Sequence, residues 1–234
     1  MHACRKDTFE RFNRLPENTI GEIKNKRQEY EKMTSGDNWL RLKTLADIQV
    51  AQFFIPKNES NAKKIITDEE YLDYLSGRKA VHGMKAGMAS GVSAEKRFFH
   101  WFLEFPVVFA GGGFDCILGN PPYLGGQALS GTFGESFCEW SRSAFAPAKG
   151  CDLVTFFLRR NYQITKLNGF NAILTTNSIK DGKTREGGLD IILKSYNGNI
   201  NFVVRSTRWP GTANLFVSLL SISGYIESPS ELIS

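Results

Sequence analysis

Residues Phe114–Gly126 read FDCILGNPPYLGG. The first six are a short apolar strand that runs straight into Asn120-Pro121-Pro122-Tyr123. Two prolines cannot continue a ladder and do not belong in a helix interior. The tetrapeptide is therefore a stiff loop at the carboxyl end of a strand, the place where open α/β sheets bind ligands. The residue types in that loop suit a planar amine. The Asn120 side-chain oxygen and the Pro121 carbonyl are acceptors that can take both hydrogens of an amino group. Drawing both hydrogens toward oxygen frees the nitrogen lone pair from conjugation and makes it a better nucleophile. Tyr123 offers a flat face for an aromatic base, a stack worth about 1–3 kcal/mol. Pro122 fixes the backbone before any ligand arrives, which lowers the ordering cost. No acid, base or metal is obligatory for this chemistry.

Outward from this loop the chain alternates strand and helix. The expected elements are a strand at Phe114–Gly119, then a helix from Leu153 to about Leu167 capped by Asp152 and stopped at Gly169. A central strand at Asn171–Thr176, a helix at Glu186–Tyr196 and a strand at Asn201–Arg205 come next. A turn at Trp209-Pro210-Gly211 leads to a last strand at Asn214–Ile222. That alternation predicts a mainly parallel sheet with helices on its faces. The link between the last two strands is too short for a helical crossover, so that pair is expected to be antiparallel.

The amino-terminal part reads as helical and irregular. GEIKNKRQEYEKM (Gly21–Met33) is a solvated helix. Asp37 is placed as the cap of a helix through Phe54, and Thr67 or Asp68 as the cap of a short one ending at Gly77. Ala80–Val92 carries Gly83, Gly87 and Gly91 and reads as a loop. AEKRFFHWFLEF, after Ser93, reads as one helix burying Phe98, Phe99, Trp101, Phe102 and Phe105.

Composition narrows the field. The 234 residues are 41% hydrophobic and 23% charged, with a net charge of +5, ordinary for a globular chain and compatible with a nucleic-acid partner. Cys4, Cys116, Cys138 and Cys151 lack zinc-ligand spacing and are expected as free thiols. The amino terminus has no apolar signal region and no run is long enough to cross a bilayer, so a cytoplasmic protein is expected. Ser130, Ser136 and Ser141 have no His/Asp partners in prospect, which argues against a hydrolase. No GxxxxGK[ST] phosphate loop is present. His100, in the aromatic segment, is expected to be structural. Lys180, Lys183 and Arg185 come after the second strand, where they could contact substrate phosphates or simply be solvated; both readings stand.

The motif FDCILGNPPY resembles the fourth motif of amino-group methyltransferases that use S-adenosylmethionine, above all the adenine-N6 DNA methyltransferases. FHWFLEFPVVFAGGGFD, LGGQALSGTFGESF, DLVTFFLRR, NAILTTNSIKDGKTREGGLD and WPGTANLFVSLL look like the large methylase subgroup of restriction-modification and phage-defence systems. The likeness covers roughly Phe98 to Ile222. It implies an α/β fold, a partial Rossmann-like methyltransferase sheet over 98–234 preceded by a helical region over 1–97. It implies that Asn120 and Pro121 grip adenine N6, that Pro122 stiffens the loop and that Tyr123 stacks on a base extruded from double-stranded DNA. Phe216, in a segment resembling the eighth motif, is either the opposite wall of the base pocket or core. The family's cofactor loop, acidic-x-x-x-Gly-x-Gly, has no counterpart here; Gly111–Gly113 precedes a strand rather than a helix, and no cofactor-binding residue is assigned. The chain is therefore expected to be the carboxyl part of a catalytic domain, partnered by a missing amino-terminal half or by other restriction-modification subunits. Two alternatives remain: the same chemistry on protein glutamine or RNA bases, and a non-catalytic fragment.

Overall fold

The computed structural model describes residues 2–210, 212 and 215–224, with side chains from residue 7 onward. Gly211 and Asn214, which the sequence places in the last turn and at the start of the last strand, lie outside the described residues. The chain divides into two compact units, residues 1–110 and 111–234.

The first unit is helical: α1 (His2–Asn13), α2 (Ile20–Ser35), α3 (Asp37–Ala51), α4 (Asp68–Ser76), α5 (Met84–Lys96), α6 (Trp101–Glu104) and α7 (Pro106–Ala110). The solvated helix α2 opens on a capping box between Thr19 and Glu22 and buries none of its residues. Helix α4 is capped by Thr67, whose hydroxyl accepts from Glu70 N, and ends on left-handed Gly77. Asp37 stands just inside α3; Gly36 occupies the cap position and has no side chain to offer.

Two expectations fail here. The glycine-rich stretch is helix α5 rather than a loop. Ala86, Ala89 and Ser93 form a narrow buried face, and the two alanines share a core with Leu45, Ile48 and Ala51 of α3. Packing of that face outweighs the roughly 1 kcal/mol that each interior glycine costs. Gly87 and Gly91 look into open space. The aromatic segment is also not one helix. Arg97 turns left-handed (φ 54°) and ends α5, and two short helices come after it. Leu103 is buried, whereas Phe99, Trp101, Phe102 and Phe105 are exposed.

Two carboxylates tie this unit together. Asp47 of α3 is buried and accepts from Ser93 Oγ (2.8 Å), His100 Nε2 (2.8 Å) and Lys43 Nζ (2.5 Å). His100 thus has the structural place expected of it. Burial alone would raise the Asp47 carboxyl; the hydrogen bonds from His100, Lys43 and Ser93 more than reverse that and hold it below the ordinary value. Glu70 accepts from Lys79 Nζ (2.8 Å), Tyr74 OH (3.0 Å) and Lys85 Nζ, which joins α4 to the start of α5.

The second unit is a four-stranded mixed sheet with helices. Its elements are β1 (Phe114–Gly119), α8 (Leu129–Phe133), α9 (Glu135–Ala144), α10 (Leu153–Ile164), β2 (Thr165–Thr176), α11 (Gly182–Gly187), α12 (Leu189–Ser195), β3 (Asn199–Arg208) and β4 (Phe216–Ser223). The sheet order is β1-β2-β4-β3. Strands β1 and β2 are parallel, with Gly119 beside Ile173. Strand β4 is antiparallel to both neighbours, with Thr176 beside Val217 and Arg208 beside Phe216. The carboxyl ends of β1, β2 and β3 therefore share one edge with the start of β4. The expected antiparallel last pair is present, but the sheet is not mainly parallel as the alternation predicted: β4 inserts between β2 and β3, and only β1 and β2 form a parallel pair.

Helix α10 stops at Ile164 and passes into β2 without a loop, shorter than expected. Gly169 does not terminate the helix. It lies inside β2, where a Cβ would stand 2.8 Å from the carbonyl oxygens of Phe114 and Asp115. That close approach accompanies the register shift between Phe114 and Cys116. The expected helix at Glu186–Tyr196 is split between α11 and α12 at Gly188, whose backbone leaves the helical region (φ −109°, ψ −89°).

Helices cover one face of the sheet. Val154 and Leu158 of α10 and Ile192 of α12 bury Ile173, Leu220 and Ile222. By register, the opposite face carries Leu118, Phe170, Phe202 and Leu219, all exposed.

Glu70, with Asp47, makes the helical unit sensitive to acid. Its cation partners, Lys79 and then Lys85, bring its carboxyl from 4.5 down to about 2. A depressed carboxyl adds stability above its unfolded value and loses it as pH falls toward the folded one. Thermal unfolding monitored by circular dichroism is expected to show stability falling between pH 4.5 and 2. Glu70→Gln removes that part of the slope.

Candidate functional site

Strand β1 ends at Gly119 and the chain leaves the sheet through Asn120-Pro121-Pro122-Tyr123, as the prolines require. Pro121 is buried; Asn120, Pro122 and Tyr123 are exposed, Tyr123 by 39%. Asn120 and Tyr123 meet each other: the Tyr123 hydroxyl donates to Asn120 Oδ1 at 2.7 Å. Partial burial pushes the Tyr123 phenol above its ordinary value, so it stays a protonated donor at neutral pH.

Residues Leu124–Gly126, on the far side of the tetrapeptide, are clamped to the start of α10. Leu153 N donates to the Leu124 carbonyl (2.9 Å), and Gly126 N donates to Asp152 Oδ1 (3.0 Å). Asp152 stands at the cap position, as expected, but its carboxylate makes no cap bond to its own helix. It serves the loop instead, and the loop's carbonyl serves the helix. Gly126 is required by space: a Cβ there would lie 2.6 Å from the Cys151 carbonyl oxygen and 2.7 Å from that of Gly150. Leu124 packs against the cluster of Leu129, Cys138, Phe145, Leu153 and Phe156.

The same helix start holds the segment after β2. Asp152 N donates to Thr184 Oγ1 (3.2 Å), Thr155 Oγ1 to the Thr184 carbonyl (3.4 Å) and Cys151 Sγ to the Lys183 carbonyl (3.0 Å). Burial pushes the Cys151 thiol up, so it remains a donor. One helix terminus thus fixes the loops that leave two adjacent parallel strands. At the neighbouring edge, Ser218 Oγ donates to Asn177 Oδ1 at 2.7 Å.

The remaining candidates lie around this edge. Lys180 ends the turn after β2 and is exposed. Lys183 is exposed, and its Cδ and Nζ lie 3.1 and 3.5 Å from where a Cβ on Gly150 would stand. Arg185 is exposed, with Nε on Asp190 Oδ1 (3.1 Å). Phe216 is exposed and opens β4 opposite Arg208. The register puts Leu220, not Phe216, in line with Gly119. Phe216 therefore lies two strands over and four residues further out, about 10 Å across and about 13 Å along the sheet. Arg159 is buried and donates to the carbonyls of Phe145, Ala146 (3.3 Å) and Gly187 (3.3 Å), which makes it a structural cation.

Sequence reasoning missed Thr184, Asn177 and the loop-holding use of Asp152. The Asp152–Gly126 partnership crosses 26 residues, and no local pattern marks it. Of the strands that run out at this edge, β1 and β2 do so through Asn120–Gly126 and Asn177–Asp181. Neither is an acidic-x-x-x-Gly-x-Gly turn opening a helix, so these two exits do not fit a cradle for a nucleoside-containing methyl donor.

A family model described as the Eco57I restriction-modification methylase matches residues 26–199. The chain belongs to this family of restriction-modification methylases. Over 59 residues it is 34% identical to the adenine-specific methyltransferase BrxX of Escherichia coli O9:H4 (strain HS), a stretch covering 25% of this chain and 4% of that protein. The solved structure of the type IIL restriction-modification enzyme MmeI in complex with DNA aligns with a TM-score of 0.41 at 17% identity, over 82% of this chain and 30% of that one. The chain thus spans a minor part of the length of both relatives. Among the described residues no helix is long and apolar enough to cross a membrane.

The clamp predicts two outcomes. Gly126→Ala is expected to destabilise the second unit by about 1–3 kcal/mol through overpacking against main chain, read from urea denaturation. Asp152→Ala is expected to cost about 1.5 kcal/mol and to speed hydrogen exchange at the Gly126 amide, while exchange in β2 and β4 stays slow.

Proposed function

We propose that this chain carries the amine-gripping part of a DNA methyltransferase that modifies adenine N6, within a restriction-modification or defence system. The observation that carries the reading is the exposed, rigidly anchored Asn120–Tyr123 loop at the carboxyl edge of a parallel strand pair. Membership of the methylase family supports it, and so does the adenine-specific name of BrxX.

In this reading a base extruded from the duplex stacks on Tyr123. Asn120 Oδ1 and the Pro121 carbonyl accept the two hydrogens of its exocyclic amine. Their pull turns the lone pair toward the methyl group to be accepted. Pro122 and the Leu124–Gly126 clamp hold the acceptors in place beforehand, so little ordering remains to be done at reaction time. Lys180 and Lys183, exposed on the neighbouring segment, are assigned to the DNA backbone, and Arg185 joins them from its pairing with Asp190. Phe216 is kept as a candidate wall of the base pocket.

The donor in this reading is S-adenosylmethionine. Its cradle is assigned to a part of the parent protein or a companion subunit outside the described residues. Residues 98–234 are read as the catalytic part and 1–97 as the helical region before it, in a cytoplasmic enzyme.

The test is methyl incorporation by the complete parent protein, offered duplex DNA, RNA and a glutamine-bearing peptide. Transfer to duplex DNA at adenine N6 is expected. Asn120→Ala is expected to lower the rate by about 10²–10³ with the fold unchanged by circular dichroism, and Tyr123→Ala to weaken base binding by about 1–3 kcal/mol. An Asn120→Ala protein with the parental rate overturns the reading.

A further inference from the structure

The hydrogen bond inside the loop bears on ligand entry. The Tyr123 hydroxyl donates to Asn120 Oδ1 at 2.7 Å, and that oxygen is the atom assigned above to the incoming amine. A base stacked on the Tyr123 ring would lie about 3.5 Å from it. An amine held in the base plane needs its acceptor close to that plane. The phenol oxygen lies in the plane of the Tyr123 ring, so it would then stand at least one stacking distance from Asn120 Oδ1. That exceeds the ordinary length of an O–H···O bond, which is about 2.5–3.0 Å. With the amine still in the base plane, as it is when the base first enters, stacking on Tyr123 and the Tyr123–Asn120 hydrogen bond exclude each other.

We propose that Tyr123 is a positioning residue as well as a stacking platform. Its hydroxyl holds the Asn120 acceptor in the empty site and is displaced when an amine-bearing base stacks on its ring. The proposal rests on Asn120 being the amine acceptor. In the empty protein the phenol keeps Asn120 Oδ1 oriented at the loop surface. On binding, an O–H···O bond is exchanged for an N–H···O bond. The amine of an adenine makes good the loss at Asn120, because it brings hydrogens of its own.

The exchange sets the sign of a measurable effect. An interaction present only in the empty site weakens binding, so its removal must strengthen binding. Phenylalanine keeps the ring and deletes the donor. In an NMR titration of the full 234-residue chain with adenosine as the probe, Tyr123→Phe is expected to bind about two- to tenfold more tightly than the parent, the factor for one net hydrogen bond. In an Asn120→Ala background the same change is expected to have no effect, because the phenol then has no acceptor to hold. With tyrosine labelled at Cζ, the Tyr123 signal of the parent is expected to shift on adenosine addition. If Tyr123→Phe binds adenosine as the parent does, or more weakly, while Asn120→Ala weakens it, the exchange is overturned and the base site stands. If adenosine binding is unaffected by Asn120→Ala, or does not saturate with any variant, the base site fails and the exchange with it.

Discussion

The second unit depends on a reciprocal pair of hydrogen bonds between a loop and a helix start. The Leu124 carbonyl accepts from Leu153 N, and Gly126 N donates to Asp152. A helix terminus leaves donors unpaired, and a loop leaves main-chain groups unpaired. Here each supplies what the other lacks. Because the same terminus also binds Thr184 and the Lys183 carbonyl, the exits of β1 and β2 are held to one point. Rigid placement of Asn120 and Tyr123 results, since the prolines stiffen the tetrapeptide on one side and the clamp fixes its far end.

The two units rely on different physics. The helical unit uses polar knots around Asp47 and Glu70, in which carboxylates gather donors from separate helices. Those knots link segments whose apolar faces are thin: α2 buries nothing, and α5 offers alanines. The sheet unit buries Leu158, Ile173, Ile192 and Ile222 in an apolar layer beneath α10 and α12. Its charged member, Arg159, is met by carbonyls rather than carboxylates.

Local chemistry made part of this legible from sequence. The strand before Asn120 could be read because apolar residues ran into two prolines, and the exposure of Asn120 and Tyr123 came with the loop. The antiparallel last pair could be read from the short link between its strands. Helix α5 could not, because its glycines argue against a helix and the decisive packing against α3 is tertiary. The aromatic run Phe98–Phe105 misled through its composition: Arg97 breaks the helical path, and several rings end in solvent. The Asp152 position was legible as a cap, but its partner was not, since a carboxylate at a helix start has the same local sequence whether it binds its own helix or a distant loop.

The bare face of the sheet governs how this chain behaves in company. Leu118 is 77% exposed, with Phe170, Phe202 and Leu219 on the same side, and among the described residues β1 has β2 as its one neighbour. Parallel pairs are ordinarily screened from water on both sides. An uncovered apolar sheet beside an open strand edge is a common seed of self-association. Colloidal behaviour at high concentration, more than folding, is what that surface puts at risk.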